Sequence, residues 1–317
     1  MNALLYDGIE PIAINEQGIQ ANYFASENSV KAPAVILLGG GQWGDYWGAE
    51  FAKQGFVGLS LPYTRLEGLP KSIEEVPLEY FENALHWLAK QPEVDSENVL
   101  LMGASRNAEL ALLVGSYFPK YVAGVIAYSP SSVTWSNTVL PYNSDEVKAS
   151  WTYKGKAVPF VAMQKPKANS SDELNTLNYW SEAFHRTEDC AQAEIEVERI
   201  NGPILMFSGK DDQVWPSTHM ANQVIRRLRD YGKDPIEMRN FQYAGVGHLI
   251  STNPESLDEQ RAGEITINGK VYPYPFGGSA EADLRAKQDA RNRVFDLLYS
   301  LPHEEEYYQS LPAAEDL

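Results

Sequence analysis

The chain has 317 residues, 44% hydrophobic and 11% aromatic, enough for one large domain or two small ones with a substantial core. A formal net charge of −17 excludes nucleic acid and anionic membrane surfaces as partners, because both need clustered Lys and Arg. No apolar run reaches transmembrane length and Cys190 is the single cysteine, which excludes a membrane span, an intrachain disulfide and a multi-cysteine metal site.

Residues 1–30 form a lead-in with edge-strand character around Gly18–Phe24. They lack a basic n-region and a long apolar h-region, so no signal peptide is expected, and the expected setting is the reducing cytoplasm. Pro33–Leu38 is a short apolar run that reads as a buried strand, and it leads into Gly39-Gly40-Gly41-Gln42. Asp45–Gln54 reads as a helix stopped by Gly55, and Phe56–Leu61 as the next strand. Ser72–Gln91 carries the apolar stripe Leu78, Phe81, Leu85 and Leu88, with Ser72 and Glu75 spaced as a capping box. Pro77 offers a second start for the same helix.

Val99–Met102 is again a buried strand, followed by Gly103-Ala104-Ser105 and the apolar helix pattern of Leu110–Leu113. A strand that turns sharply into a helix with Ser at the apex is a nucleophile elbow. The turn lifts the hydroxyl clear of the sheet, and the N–H of the next residue, Arg106, opens the helix toward a developing oxyanion. The usual second glycine of the motif is Asn107 here. The same residues also fit a plain Ser N-cap on a buried helix.

Tyr121–Tyr128 is a further strand, so the order to this point is β-α-β-α-β-α-β with short connections, which implies a parallel sheet with helices on both faces. The alternation lapses over residues 131–201, an insert expected to lie over the carboxyl ends of the strands. Its lysines, Lys148, Lys154, Lys156, Lys165 and Lys167, have no acid between them. They suit a phosphate-bearing ligand, with Lys154 and Lys156 the candidate contacts; a solvated lysine-bearing loop is the other, plainer reading of the same residues. The sheet resumes at Pro203–Ser208, then come Gly209-Lys210-Asp211-Asp212, a helix at Ser217–Tyr231, a strand at Ile236–Tyr243 and the loop Ala244–Ile250 with His248. Glu264–Tyr274 alternates around an Asn268-Gly269 turn, Ala280–Ser300 is a last helix, and residues 301–317 form an acidic tail.

Ser105, then Asp211 or Asp212, then His248, each on a loop after a strand, is the chain order of Ser, acid and His in α/β-hydrolases. His248 would take the Ser105 proton, and Asp212 would hold the imidazole tautomer. Asp212 is preferred because a Gly-x-x-Asp turn brings the fourth residue back over the sheet, with Asp211 the alternative. His86, His185, His219 and His303 lie in helices, the insert or the tail and fit less well. Backbone N–H groups near Gly41 and Gln42, with that of Arg106, are the candidate oxyanion donors.

These segments resemble the catalytic domain of the acyl-CoA thioesterase and bile acid-CoA:amino acid N-acyltransferase family from about Pro33 to Ser300. The resemblance is carried by Gly39–Gly41, Gly55-Phe56, Pro62-Tyr63, Leu69-Pro70-Lys71, Leu78–Phe81, Pro92-Glu93-Val94, Gly103–Glu109, Tyr153-Lys154-Gly155, Gly209–Trp215 and Gly247-His248. It implies an α/β-hydrolase fold with a cap-like insert, the triad Ser105, Asp212 and His248, and no cofactor or metal. In this family a Cys nucleophile goes with acyl transfer to amino acids and Ser with hydrolysis, so Ser105 implies a thioesterase with an acyl-CoA or other small acyl ester as its partner. The family's animal members carry a β-sandwich ahead of this region, where this chain has about 30 residues. A carboxylic-ester hydrolase of dienelactone-hydrolase type and a catalytically silent binding protein remain as alternatives, and no pattern specifies an oligomeric state.

Overall fold

In the computed structural model, residues 9–137, 146–164, 173–234, 238–267 and 269–301 are described. Lys165, Lys167, Asn268, His303 and the acidic tail lie outside them. In chain order the elements are β1 (Ile12–Glu16), β2 (Ile19–Phe24), β3 (Ala32–Leu38), α1 (Gly41–Lys53), β4 (Val57–Leu61), β5 (Val76–Pro77), α2 (Glu79–Leu88), β6 (Val94–Ala104), α3 (Arg106–Tyr117) and β7 (Gly124–Tyr128). The insert supplies β8 (Trp151–Tyr153), β9 (Lys156–Ala157), α4 (Thr176–Ser181) and α5 (Thr187–Ala193). The chain then runs through β10 (Ile204–Gly209), α6 (Ser217–Asp230), β11 (Met238–Tyr243), β12 (Ala262–Ile267), β13 (Lys270–Pro275) and α7 (Ala280–Ser300).

Eight strands form one sheet in the order β1-β2-β4-β3-β6-β7-β10-β11. From β4 to β11 every neighbour is parallel, while β1 and β2 are added antiparallel at one edge. The helical crossovers impose the parallel order, and the strands are apolar on both faces because helices cover both. Alternation along β3 divides the core. Ala34, Ile36 and Leu38 face the side packed by α2, α3 and α6, and Val35 and Leu37 face the side packed by α1 and α7. This is the mostly parallel sheet, covered on both faces, of an α/β-hydrolase fold.

Several boundaries differ from the sequence reading. Helix α1 starts four residues earlier than Asp45, because Gly39, Gly40 and Gly41 all take positive φ and turn the chain out of β3 directly into the helix. The helix expected from Ser72 begins only at Glu79, and no side chain caps it. Glu75 sits at φ 50° and Val76–Pro77 is extended, pairing with Trp151 and Thr152 of the insert, so the proposed Ser72/Glu75 capping box does not form. Tertiary strand pairing has overridden a local helix-start signal. Strand β6 is longer than Val99–Met102, and β7 begins at Gly124 rather than Tyr121.

The described part of the insert packs around Val133, Trp135, Val161, Met163 and Trp180, and Trp215 of the loop after β10 joins the same cluster. Part of it lies beside the sheet rather than over it, because β8 pairs with β5 and its hairpin packs on the far end of α3.

Candidate active site

Ser105 joins β6 to α3 at φ 57° and ψ −121°, a conformation rare for a residue with a side chain. Gly103 permits the turn: a Cβ there would lie 2.0 Å from the Asn107 carbonyl oxygen, so the backbone closes on itself at the one position without a side chain. Asn107 stands where a second glycine is usual. Its amide packs against Gly39, and its Oδ1 accepts the Tyr63 hydroxyl at 2.6 Å, so the extra volume is absorbed by a glycine opposite and a polar partner below.

Three loops bring their side chains together above the carboxyl ends of β6, β10 and β11. His248 Nε2 lies 2.9 Å from Ser105 Oγ, and His248 Nδ1 lies 2.8 Å from Asp212 Oδ2. A carboxylate only accepts, so Nδ1 donates to Asp212, leaving Nε2 of the neutral ring to accept from the Ser105 hydroxyl. Asp212 is buried and also accepts Val214 N–H at 2.9 Å, Trp215 N–H at 3.2 Å and Ser217 Oγ–H at 2.7 Å. Four donors hold it in place, whereas Asp211 is exposed. The backbone of His248 is tied at both ends: its N–H donates to Phe276 O at 2.9 Å, and its carbonyl accepts Ser129 Oγ–H at 2.9 Å. The Trp215 indole meets the imidazole edge-on at 6.0 Å and donates to Ser129 O.

The candidate oxyanion donors sit at two helix starts. Gly41 and Gln42 are the first residues of α1 and Arg106 the first of α3, so their N–H groups have no intrahelical acceptor. The Gly39–Asn107 contact sets these two helix starts side by side, and a Cβ added at Gly41 would meet nothing within 4 Å, so open space lies over that backbone. Helix N-termini favour developing negative charge.

The Arg106 side chain turns inward. It pairs with Glu109 and reaches Ser150 Oγ and Ser136 O in the insert. Glu109 is fully buried; burial drives its carboxyl above the ordinary range, against the pull of Arg106 and of donors from Trp151 Nε1 and Trp135 N–H. Sequence reasoning did not find this pair, although an acid inside the apolar run Ala108–Val114 is its signal. It also missed Trp180, which packs on Trp215 at 5.3 Å, and the strap Phe276–Ser279 beside His248.

Lys154 and Lys156 are not brought to Ser105. Lys154 caps the β8–β9 turn, its ammonium over the Tyr153 ring at 5.1 Å. Tyr153 packs on Tyr117 at the end of α3, roughly 16 Å of helix rise from Arg106. Lys148 is spent on Glu74 and Glu146. Of the described lysines of the insert, Lys148 is thus taken up by ion pairs, and Lys154 and Lys156 lie on the β8–β9 hairpin. His86 packs against Tyr121 and His219 against Phe184.

Among the described residues no helix is long and apolar enough to cross a membrane. Comparison with solved structures supports the fold. A thermophilic esterase from Thermogutta terrifontis superposes with a TM-score of 0.51 at 12% identity, covering 93% of this chain and 92% of that one. A puromycin-hydrolysing peptidase of Mycobacterium tuberculosis gives 0.51 at 15% identity over 78% of this chain and 37% of its own. Among curated relatives, human acyl-coenzyme A thioesterase 6 is 28% identical over 294 residues, covering 92% of this chain and 65% of its own length. Mouse mitochondrial acyl-coenzyme A thioesterase 2 is 28% identical over 290 residues, covering 90% and 59%. The chain thus spans 59–65% of the length of these two curated relatives. The family model described as BAAT / Acyl-CoA thioester hydrolase C terminal matches residues 76–298, from β5 through the Ser105 elbow and the Asp212 and His248 loops into α7, and the chain belongs to that family.

Proposed function

We propose that this chain is a serine hydrolase that cleaves thioesters, with acyl-CoA the substrate class, through an acyl-enzyme on Ser105. One observation carries the reading: a continuous hydrogen-bond series, Ser105 Oγ to His248 Nε2 at 2.9 Å and His248 Nδ1 to Asp212 at 2.8 Å, in a member of a family named for acyl-CoA thioester hydrolysis.

In the first half-reaction Ser105 Oγ attacks the thioester carbonyl as its proton passes to His248 Nε2. The C–O bond forms, the carbonyl oxygen becomes an oxyanion facing the N–H groups of Arg106 and of Gly41 or Gln42, and Asp212 stabilises the imidazolium. Collapse breaks the C–S bond, and the imidazolium proton goes to the departing thiolate. In the second half, water gives its proton to His248 and attacks the acyl carbon, releasing the carboxylic acid and restoring the Ser105 hydroxyl. An oxyester on serine is readily attacked by water, which favours hydrolysis over transfer to an amine.

A fluorophosphonate probe should label Ser105, and Ser105→Ala and His248→Ala should abolish labelling. Asp212→Asn should lower kcat by about 10⁴-fold, because the amide no longer selects the productive tautomer. At matched acyl length, kcat/KM should favour an acyl-CoA over an aryl oxyester. Preference for the oxyester would assign the site to carboxylic esters, and no labelling of well-folded protein would make it a silent binding fold.

A further inference from the structure

The histidine loop is held by a charged clamp outside the hydrogen-bond series, and no part of the chemistry above uses it. Asp283, in the first turn of α7, is 2% exposed. Its Oδ1 accepts the Gly247 N–H at 2.8 Å, one residue before His248, and its Oδ2 pairs with Arg261 Nη1 at 2.7 Å. Arg261 Nη2 donates to Gly277 O at 2.7 Å, and the Arg261 carbonyl accepts Phe276 N–H at 3.0 Å. The strap Phe276–Ser279 so held lies between the acid loop and the histidine loop. Phe276 O accepts both His248 N–H and Gln213 N–H, Gly277 bridges to Asp212, Gly278 bridges to Val246, and Ser279 N–H donates to Gly245 O. Two features show how closely this is built. A Cβ at Gly277 would lie 1.9 Å from Asp211 O, and one at Gly278 would lie 2.7 Å from the Asp283 carboxylate itself.

A loop containing Gly245 and Gly247 has little rigidity of its own, since glycine adds backbone freedom and no side-chain packing. Its geometry must be imposed from outside. We propose that Asp283 and Arg261 are positioning residues that fix the backbone of His248, and with it the Nδ1–Asp212 distance, through the Gly247 N–H and the Gly277 carbonyl. Neither side chain touches the reacting atoms. The carboxylate joins α7 to the histidine loop, and Arg261 neutralises it while tying the strap to the same point. The kinetic part of this inference rests on the hydrolase reading; the geometric part does not.

The test compares the wild-type protein with Asp283→Asn, which keeps the shape and removes the charge, and with Arg261→Met and Arg261→Lys. Two quantities are read well below each variant's unfolding temperature: the low-field proton resonance of His248 Nδ1–H, and kcat with KM on an acyl-CoA. Displacements on the order of 1 Å at such sites lower rates by about 100-fold. Asp283→Asn and Arg261→Met are expected to lose the resonance or move it upfield and to lower kcat by about 10- to 100-fold, with KM changed less than about twofold. Arg261→Lys, which keeps one of the two contacts, should recover part of both. An unmoved resonance in folded Asp283→Asn or, should that variant not fold, in Arg261→Met would overturn the proposal. If the wild-type protein turns over no substrate, the hydrolase reading fails on its own, and the resonance comparison still decides the clamp.

Discussion

Asn107 is the residue at which this chain departs from the common elbow pattern, and the structure accounts for the departure through a pair. Its Oδ1 accepts the Tyr63 hydroxyl, and Tyr63 is buried, its phenol pushed above its ordinary range by that burial. A buried hydroxyl that loses its acceptor costs more than the net value of the bond, because neither water nor another group replaces it. Asn107→Ala should therefore lower unfolding free energy by about 1–3 kcal/mol. Adding Tyr63→Phe to that variant should cost little more, since the orphaned hydroxyl leaves with it. Denaturant titration of the two single variants and the double variant gives the coupling. Full additivity would show that the 2.6 Å contact has no energetic role.

At the scale of elements, the strap after β13 holds the acid and histidine loops in register, and its glycines are required by contact rather than by turn chemistry alone. Gly277 has φ 80° and no space for a Cβ, while Gly269, in the β12–β13 turn, has φ 81° and nothing within 4 Å. The two positions share a φ near 80° and differ in surroundings, so alanine at each separates strain from collision. Gly269→Ala should cost about 1–2 kcal/mol from the left-handed conformation and leave the rate on thioesters unchanged. Gly277→Ala should cost about 3 kcal/mol or more and reduce turnover sharply, because the acid loop must move. Thermal unfolding and kcat measured together check both, and equal penalties would place the effect in φ alone.

Across the molecule, several carboxylates that join distant segments are held ionised by arginine. Burial raises the carboxyls of Glu50, Glu198 and Asp289. Hydrogen bonds outweigh it, from Lys53 and Arg291 to Glu50, from Arg227 to Glu198, and from Arg293 and Tyr243 to Asp289, so each ends below its ordinary value. A lowered folded value means stability that is present at neutral pH and is lost as pH falls below the ordinary carboxylate range and through the folded value. Glu109, raised by burial, works in the opposite sense: its contribution is present at low pH and lost as pH rises through its raised value. The clean measurement is therefore a difference that cancels Glu109. Between about pH 5 and pH 3 the unfolding temperature of the wild-type protein should fall more steeply than that of Arg227→Met, in which Glu198 returns toward its ordinary range. Parallel curves would remove Arg227 from the account of acid stability.

Read without coordinates, the chain already determined the carboxyl ends of β3, β4, β7 and β11, the order in which Ser105, an acid and His248 follow one another, and a parallel sheet covered on both faces. Hydrophobic period and turn residues are local properties, and α7 matched its expected span of Ala280–Ser300 for that reason. The pairing of Asp212 with His248, the placement of Lys154 away from Ser105, the diversion of Val76–Pro77 from a helix into a strand pair, the contacts of Arg106 and Glu109 with Trp135, Ser150 and Trp151 of the insert, and the Asp283–Arg261 clamp were decided only by the tertiary structure. Each of these joins segments far apart in the chain. Which carboxylate finds which donor, and which extended segment finds which neighbour, depends on what the rest of the fold delivers to that point in space, and no local periodicity carries that information.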